Sequence, residues 1–132
     1  MSKVGIDTNV LLRYILQDDE QSKIATKFFE SLSLEHQGFI NNTVIIELIW
    51  VLSRTYKQTK SDIAMLLEEL FSMPIFVFDN LPLLLKTLEI YKQSKADFSD
   101  ILIFEFNQLV GCQTAVTFDV KVHKKLGMKF LN

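Results

Sequence analysis

Apolar residues recur along this chain in two ways: in short runs of four or five residues, and in longer stretches with apolar positions three and four apart. Short runs are typical of strands, and the wider spacing is typical of helices. The two patterns alternate, and strands separated by helices pair in parallel with helices on both faces of the sheet. The pattern predicts an α/β fold, a three-layer α/β/α sandwich with a central, mostly parallel sheet, in one domain over residues 1–132.

The pattern also sets approximate bounds for each element. Strands are predicted over residues 3–7, 38–41, 74–78, 114–118 and 129–131. Helices are predicted over about 10–16, 20–32, 43–56, 61–71, 83–91, 97 or 99 to 110, and 120–126. Thr43 and Ser61 are the expected N-caps of their helices, and Gly111 is expected to follow the end of the sixth helix.

Two of the predicted strands end on an aspartate. The run from Val4 stops at Asp7, where a helical pattern begins, as expected of a buried parallel strand that leads into a helix. The run Ala115 to Phe118 likewise stops at Asp119, before the last helix. Ligand and catalytic sites of open α/β sheets lie at the carboxyl ends of the strands, so both carboxylates are candidates for such a site.

A third carboxylate, Glu47, is the only formally charged residue between Gln37 and Ser53. A helix that is apolar on nearly every side is usually buried, so Glu47 is expected to lie at least partly out of water. An unpaired buried carboxylate costs several kcal/mol. The sequence leaves two interpretations open: an ion pair, for which Arg54 is one candidate, or a bound metal ion.

Asp97 and Asp100 are three residues apart at a helix start and therefore share one face of its first turn. An N-cap role explains one of them but not the second. Taken with the strand-ending acids and Glu47, the pair predicts a metal site. Oxygen ligands without cysteine or suitably spaced histidine favour Mg²⁺ or Mn²⁺ over Zn²⁺. Since no histidine is placed as a base, a metal-activated water is the expected nucleophile.

Composition adds expectations about partners and compartment. Hydrophobic residues make up 48% of the 132, which is high for a short chain and suggests that a partner or second subunit covers part of the apolar surface. No apolar run is long enough to span a membrane, and no signal peptide is recognisable. The single cysteine, Cys112, allows no intrachain disulfide, so a cytoplasmic location is expected.

The formal net charge of −2 conceals an uneven distribution. If five of the 16 acidic residues lie in one site, the other 11 are outnumbered by 14 lysines and arginines. Lys121, Lys124, Lys125 and Lys129 follow directly on Asp119. They could contact a phosphate backbone, or they could be ordinary solvated side chains.

These acids lie in four short motifs: Ile6-Asp7-Thr8-Asn9-Val10-Leu11-Leu12-Arg13, Val44-Ile45-Ile46-Glu47-Leu48, Asp97-Phe98-Ser99-Asp100, and Thr117-Phe118-Asp119. In this order and spacing they resemble the PIN-domain ribonucleases, most closely the VapC-type toxins of bacterial toxin–antitoxin pairs, over nearly the whole chain. The resemblance implies catalytic, metal-binding roles for Asp7, Glu47, Asp100 and Asp119, and accessory roles for Asp97, Asn9 and Thr117. Phe104-Glu105 departs from the family, which usually has small residues there.

The resemblance further implies cleavage of single-stranded or loop RNA with Mg²⁺ or Mn²⁺, leaving a 5′-phosphate and a 3′-hydroxyl. It also implies a homodimer whose site is covered by an antitoxin peptide. Two other functions remain open. A haloacid-dehalogenase-like phosphatase also begins with a strand-ending Asp, but it needs a second Asp where this chain has Asn9. A non-catalytic PIN-like module for RNA or protein binding would keep the fold without the chemistry.

Overall fold

The computed structural model describes residues 1–132. The elements follow in the order β1 (Ser2–Gly5), α1 (Thr8–Leu16), α2 (Glu20–Glu30), β2 (His36–Ile40), α3 (Asn42–Arg54), α4 (Lys60–Phe71), β3 (Phe76–Phe78), α5 (Leu81–Gln93), α6 (Phe98–Leu109), β4 (Val116–Thr117), α7 (Val120–Leu126) and β5 (Lys129–Phe130). They belong to two compact units, residues 1–79 and residues 80–132. No helix is long and apolar enough to cross a membrane.

The first unit is built on three parallel strands in the order β1-β2-β3. Gly38 lies in the middle of β2, where it pairs with Val4 on one side and Phe76 on the other. A Cβ atom at this position would lie 3.2 Å from the side chains of Ile6, Leu32 and Phe76. The close approach of these apolar groups to the backbone accounts for a glycine inside a strand.

The core of the first unit forms where helices cover these strands. The fully inaccessible side chains come from α1, β2, α3 and α4: Leu11, Ile40, Ile45, Leu48, Leu52 and Leu67. Phe29 of α2 completes the core with its ring 5.6 Å from that of Phe76 in edge-to-face geometry. Burial of this apolar surface fixes α1 and α3, the two helices that carry most of the first motif and all of the second.

The second unit packs α5 against α6 and carries a two-stranded parallel ladder, β4 with β5, connected through α7. Phe98 and Ile101 at the start of α6 are each 1% exposed, and the Phe98 ring lies edge-on to Tyr91 of α5 at 5.5 Å. Because these two residues anchor the first turn of α6, they also hold the backbone of Asp97 and Asp100 in place.

The predicted α/β class, with helices alternating with parallel strands, is confirmed. The bounds of α7 are those predicted, and Gly111 follows α6 with a φ of 93°, as expected of a helix-ending glycine. Two predicted caps are wrong. Asn41 Oδ1, not Thr43, accepts from the Val44 backbone N–H, and Thr59 rather than Ser61 caps α4 through a reciprocal capping box with Asp62.

The predicted burial of β1 is also wrong. The strand is largely exposed, since it is hydrogen-bonded only to β2 within the three-stranded ladder and carries the polar residues Ser2 and Lys3. The fourth strand is shorter than predicted, with only Val116 and Thr117 in the ladder. Phe118, the last residue of the predicted run, lies outside it and is exposed.

Candidate active site

Asp7 lies between β1 and α1 and is the N-cap of α1. Its Oδ1 atom accepts a hydrogen bond from the Thr8 backbone N–H at 2.7 Å. The carboxylate is exposed, and this bond leaves Oδ2 available to a ligand. Asp7 therefore caps α1 with one carboxylate oxygen and can bind a cation with the other.

Glu47 lies on α3 and is exposed, so the expectation that it is at least partly out of water is wrong. The buried face of α3 consists of Val44, Ile45, Leu48 and Leu52, and Glu47 lies outside that face. Arg54 does not pair with it: the guanidinium lies 4.7 Å from the centre of the Trp50 ring instead. The ion-pair interpretation is thereby excluded for Arg54.

The Thr8 side chain connects Glu47 to the first motif. Its hydroxyl donates to Glu47 Oε1 at 2.8 Å, while its backbone N–H donates to Asp7. One residue thus orients two predicted site carboxylates, and each keeps an oxygen that this residue does not use. Sequence reasoning did not assign a role to Thr8, although its place directly after the first acid is a usable signal.

Asn9, the predicted hydrogen-bonding support, is exposed and lines a groove between α1 and α2 together with Arg13 and Ile24. No hydrogen bond of its side chain is present in the structure. The neighbouring Arg13 is instead the centre of a network, donating to Asp18 at 3.0 Å, to Asp19 at 2.7 Å and to the Tyr56 hydroxyl at 2.9 Å. The supporting role of Asn9 stays a prediction.

In the second unit, three predicted acids border one cavity of about 110 Å³, here called the acidic cleft. Its lining consists of Lys95, Ala96, Asp97, Asp100, Asp119, Lys121, Val122 and Lys125. The cavity is large enough for a cation with bound water. The cleft therefore combines three anionic groups with three cationic groups on its border.

The hydrogen bonds of these acids differ. Asp97 occupies the N-cap position of α6 but makes no capping hydrogen bond, so a capping role does not account for its carboxylate. Asp119 caps α7 through Oδ1, which accepts from the backbone N–H groups of Lys121 at 2.8 Å and Val122 at 3.4 Å. Thr117 Oγ1 in turn accepts from the Asp119 N–H at 2.9 Å. Thr117 thus helps to fix the backbone that presents Asp119.

The electrostatics of the cleft centre on Asp100. Its partial burial, together with the negative charges of Asp97 and Asp119, raises the pKa of its carboxyl group, while Lys125 lowers it. Burial and the charge of Asp97 similarly raise the pKa of the Tyr91 hydroxyl. Carboxylates that disfavour one another's ionisation are stabilised by a bound cation.

The family model described as the PIN domain matches residues 4–127. The chain belongs to the PIN-domain family. One relative is a VapC ribonuclease of Aquifex aeolicus (strain VF5), 30% identical over 128 residues, which are 96% of this chain and 94% of the relative. Among solved structures, this PIN domain is similar to Mycobacterium tuberculosis VapC20, described as a sarcin–ricin loop cleaving toxin. That match has 17% identity and a TM-score of 0.46, and it covers 94% of each chain.

The chemistry of the donors in this PIN domain fits Mg²⁺ or Mn²⁺. The cleft offers carboxylate oxygens and neither histidine nor cysteine: His123 Nδ1 is hydrogen-bonded to the Met128 carbonyl, and Cys112 is exposed. No group of three or more histidine, cysteine or acidic side chains is close enough together to hold an ion alone. Mg²⁺ tolerates this arrangement because it usually keeps several waters and takes only one or two carboxylates.

A further strand-ending acid, Asp79, is not among the site residues predicted from the sequence. Asp79 follows β3 as Asp7 follows β1, and its Oδ2 accepts from the Asn42 backbone N–H at 2.6 Å. This bond fixes the start of α3, the helix that carries Glu47. The signal was present in the sequence, since Phe76-Val77-Phe78-Asp79 is another short apolar run that ends on an aspartate.

Proposed function

We propose that this PIN-domain chain is a metal-dependent endoribonuclease and acts as the toxin of a toxin–antitoxin pair. The observation that carries the proposal is the acidic cleft, where Asp97, Asp100 and Asp119 lie beside three lysines. Carboxylates suit a divalent cation, and the lysines suit the phosphates of a nucleic acid. The resemblance to a VapC ribonuclease over 96% of the chain supports RNA as the substrate.

In this proposal Asp7, Glu47, Asp100 and Asp119 bind Mg²⁺ or Mn²⁺, directly or through water, and Asp97 orients water or metal. When bound, such an ion polarises a phosphate and makes its bound water more acidic. Thr8 holds Glu47 in position through its hydroxyl, and Thr117 holds the Asp119 backbone. Lys121 and Lys125 attract the phosphates of the substrate to the border of the cleft.

The direct test uses purified protein that has been stripped of metal with EDTA. Labelled RNA should be cut only after Mg²⁺ or Mn²⁺ is restored, and the products should carry 5′-phosphate and 3′-hydroxyl ends. Cleavage that persists in EDTA, or products with 2′,3′-cyclic phosphates, would contradict the mechanism. For variants of the exposed site acids, such as Asp7→Asn, Glu30→Gln is a matched control: it also neutralises an exposed carboxylate, but at the end of α2. RNA binding without cleavage would identify the non-catalytic module instead.

The proposal includes a cytoplasmic homodimer and an antitoxin partner. Ile103 and Phe106 of α6, together with Val110 at its C-cap, lie three and four residues apart and are 54%, 43% and 62% exposed. An apolar stripe of this kind is suited to burial by another protein surface. Light scattering should give twice the monomer mass, and a monomer at all working concentrations would contradict the dimer. The product of an adjacent gene should co-purify with the chain; if none does, the toxin assignment fails.

A further inference from the structure

Phe118 is the most exposed aromatic side chain of the molecule, with 78% of its surface accessible. Single exposed apolar residues are common, so exposure alone does not make a site. The position of Phe118 is more informative, because it lies between Thr117 and Asp119 in the fourth motif. Asp119 is the next residue of the chain and borders the acidic cleft.

The backbone on both sides of Phe118 is held by hydrogen bonds. The Thr117 carbonyl accepts from the Leu131 N–H at 3.0 Å, and the Thr117 hydroxyl accepts from the Asp119 N–H at 2.9 Å. The Asp119 carboxylate in turn accepts from the Lys121 N–H. The Phe118 ring is therefore carried by an ordered segment, which lowers the entropic cost of binding a ligand through it.

Cationic side chains follow on the next helix. Lys121 and Lys125 are four residues apart on α7, so they share one face, and both border the acidic cleft. Lys125 Nζ also donates to the Lys95 carbonyl at 3.1 Å, which places this ammonium group at the cleft. An exposed ring followed by a row of cations is the combination that single-stranded nucleic acids bind, with bases on the ring and phosphates on the cations.

We propose that Phe118 stacks on a base of single-stranded RNA whose phosphates contact Lys121 and Lys125, and so positions the strand beside Asp119. This inference rests on the proposed ribonuclease function and deepens it by assigning a substrate-positioning residue. Every base has an aromatic face, so stacking here gives affinity with little sequence preference. A base inside a duplex cannot offer its face in this way, and the substrate is therefore unpaired at this position.

A protein-binding surface is the competing interpretation of the same residue. Val116 of β4 lies two residues earlier and is 54% exposed, so a second accessible apolar side chain is near Phe118 in the sequence. The adjoining lysines and the acidic cleft favour RNA, because the core of a protein interface is usually depleted of charge. The experiment below distinguishes the two.

The experiment measures the affinity for a fluorescein-labelled, unstructured 12-nucleotide RNA by anisotropy. Asp100→Asn protein in Mg²⁺ serves as the background, so that the RNA stays intact. Adding Phe118→Ala should raise Kd roughly 5- to 150-fold, as for the loss of one stacked base. Phe118→Trp should retain the affinity, whereas Phe118→Leu should not restore it. Val116→Ala is the matched control and should leave Kd unchanged.

The dependence of Kd on salt separates stacking from charge. Lys121→Gln should reduce the slope of log K against log salt by about 0.7, the value for one phosphate contact on a single strand. Phe118→Ala should leave this slope as it is in the background protein.

An unchanged Kd for Phe118→Ala, or full recovery with Phe118→Leu, would overturn the proposal. If Phe118→Ala instead turns a dimer into a monomer at unchanged RNA affinity, the residue belongs to a protein interface. These failures leave the proposed function intact as long as the unmodified protein cuts RNA with Mg²⁺. If the unmodified protein neither binds nor cuts RNA, the proposed function fails and this inference fails with it.

Discussion

The Glu105 carboxylate is nearly inaccessible to water and is paired with one cation, Lys86. The contribution of this ion pair to the free energy of unfolding can be measured. The side chain is only 6% exposed on α6, and Lys86 Nζ of α5 lies 2.9 Å from Oε1. Lys86 itself is 65% exposed, so the two partners are not equivalent. Lys86→Met leaves a buried carboxylate without its counter-ion, whereas Glu105→Gln leaves a lysine that water can solvate.

The magnitude follows from this asymmetry. Breaking a fully buried ion pair costs about 3–5 kcal/mol, and an exposed pair contributes about 0–1 kcal/mol. Because one partner is buried and the other is mostly in water, we expect Lys86→Met to lower the free energy of unfolding by about 1–3 kcal/mol. Glu105→Gln should lower it by less, and the double variant Lys86→Met with Glu105→Leu should recover most of the loss.

Urea unfolding followed by circular dichroism measures all three free energies. Nuclease activity of the folded variants serves as the control, because neither residue borders the acidic cleft. If Lys86→Met costs no more than Glu105→Gln, the carboxylate does not depend on Lys86 and the reasoning is refuted.

Three further predictions concern the acids themselves. In EDTA at neutral pH, Asp100→Asn should melt no lower than wild type. Burial and the charges of Asp97 and Asp119 raise the pKa of Asp100, so its ionised form opposes folding. Melts at decreasing pH should show the difference between the two proteins disappear as Asp100 is protonated. Asp7→Asn should have a free energy of unfolding within about 1 kcal/mol of wild type, since an amide oxygen can still accept from the Thr8 N–H, yet it should not cut RNA. A destabilised variant that still cuts RNA would show that Asp7 is only a helix cap. Asp97→Asn should retain measurable cleavage, as an accessory acid would, and complete loss would give it the primary role.

The sequence was sufficient to predict the fold class and most helices, because these depend on apolar spacing that is local to each element. The caps of α3 and α4 were not predictable in the same way. Asn41, Asn42 and Thr43 are all acceptable caps by residue type. The choice of Asn41 coincides with the hydrogen bond from the Asn42 N–H to Asp79, which lies 37 residues further along the chain.

The exposure of Glu47 shows a second limit of prediction from the sequence. An uninterrupted apolar run indicates a buried helix, but it does not say which face the rest of the protein covers. In this chain α3 buries four aliphatic residues on one side and leaves Trp50 56% exposed. The hydrogen bond between Thr8 and Glu47 follows from how α1 and α3 pack, so it could be found only in the structure.

The most direct measurement of the central claim is the rate at which Asp100→Asn cuts RNA at saturating Mg²⁺, compared with wild type and with Glu30→Gln. If Asp100 is a metal-binding catalytic acid, its variant should lose more than about 100-fold, the upper range for outer partners of a metal site, while Glu30→Gln cuts normally. Asp100→Asn cleavage at the wild-type rate would contradict the account, because the acid at the centre of the acidic cleft would then have no part in the reaction.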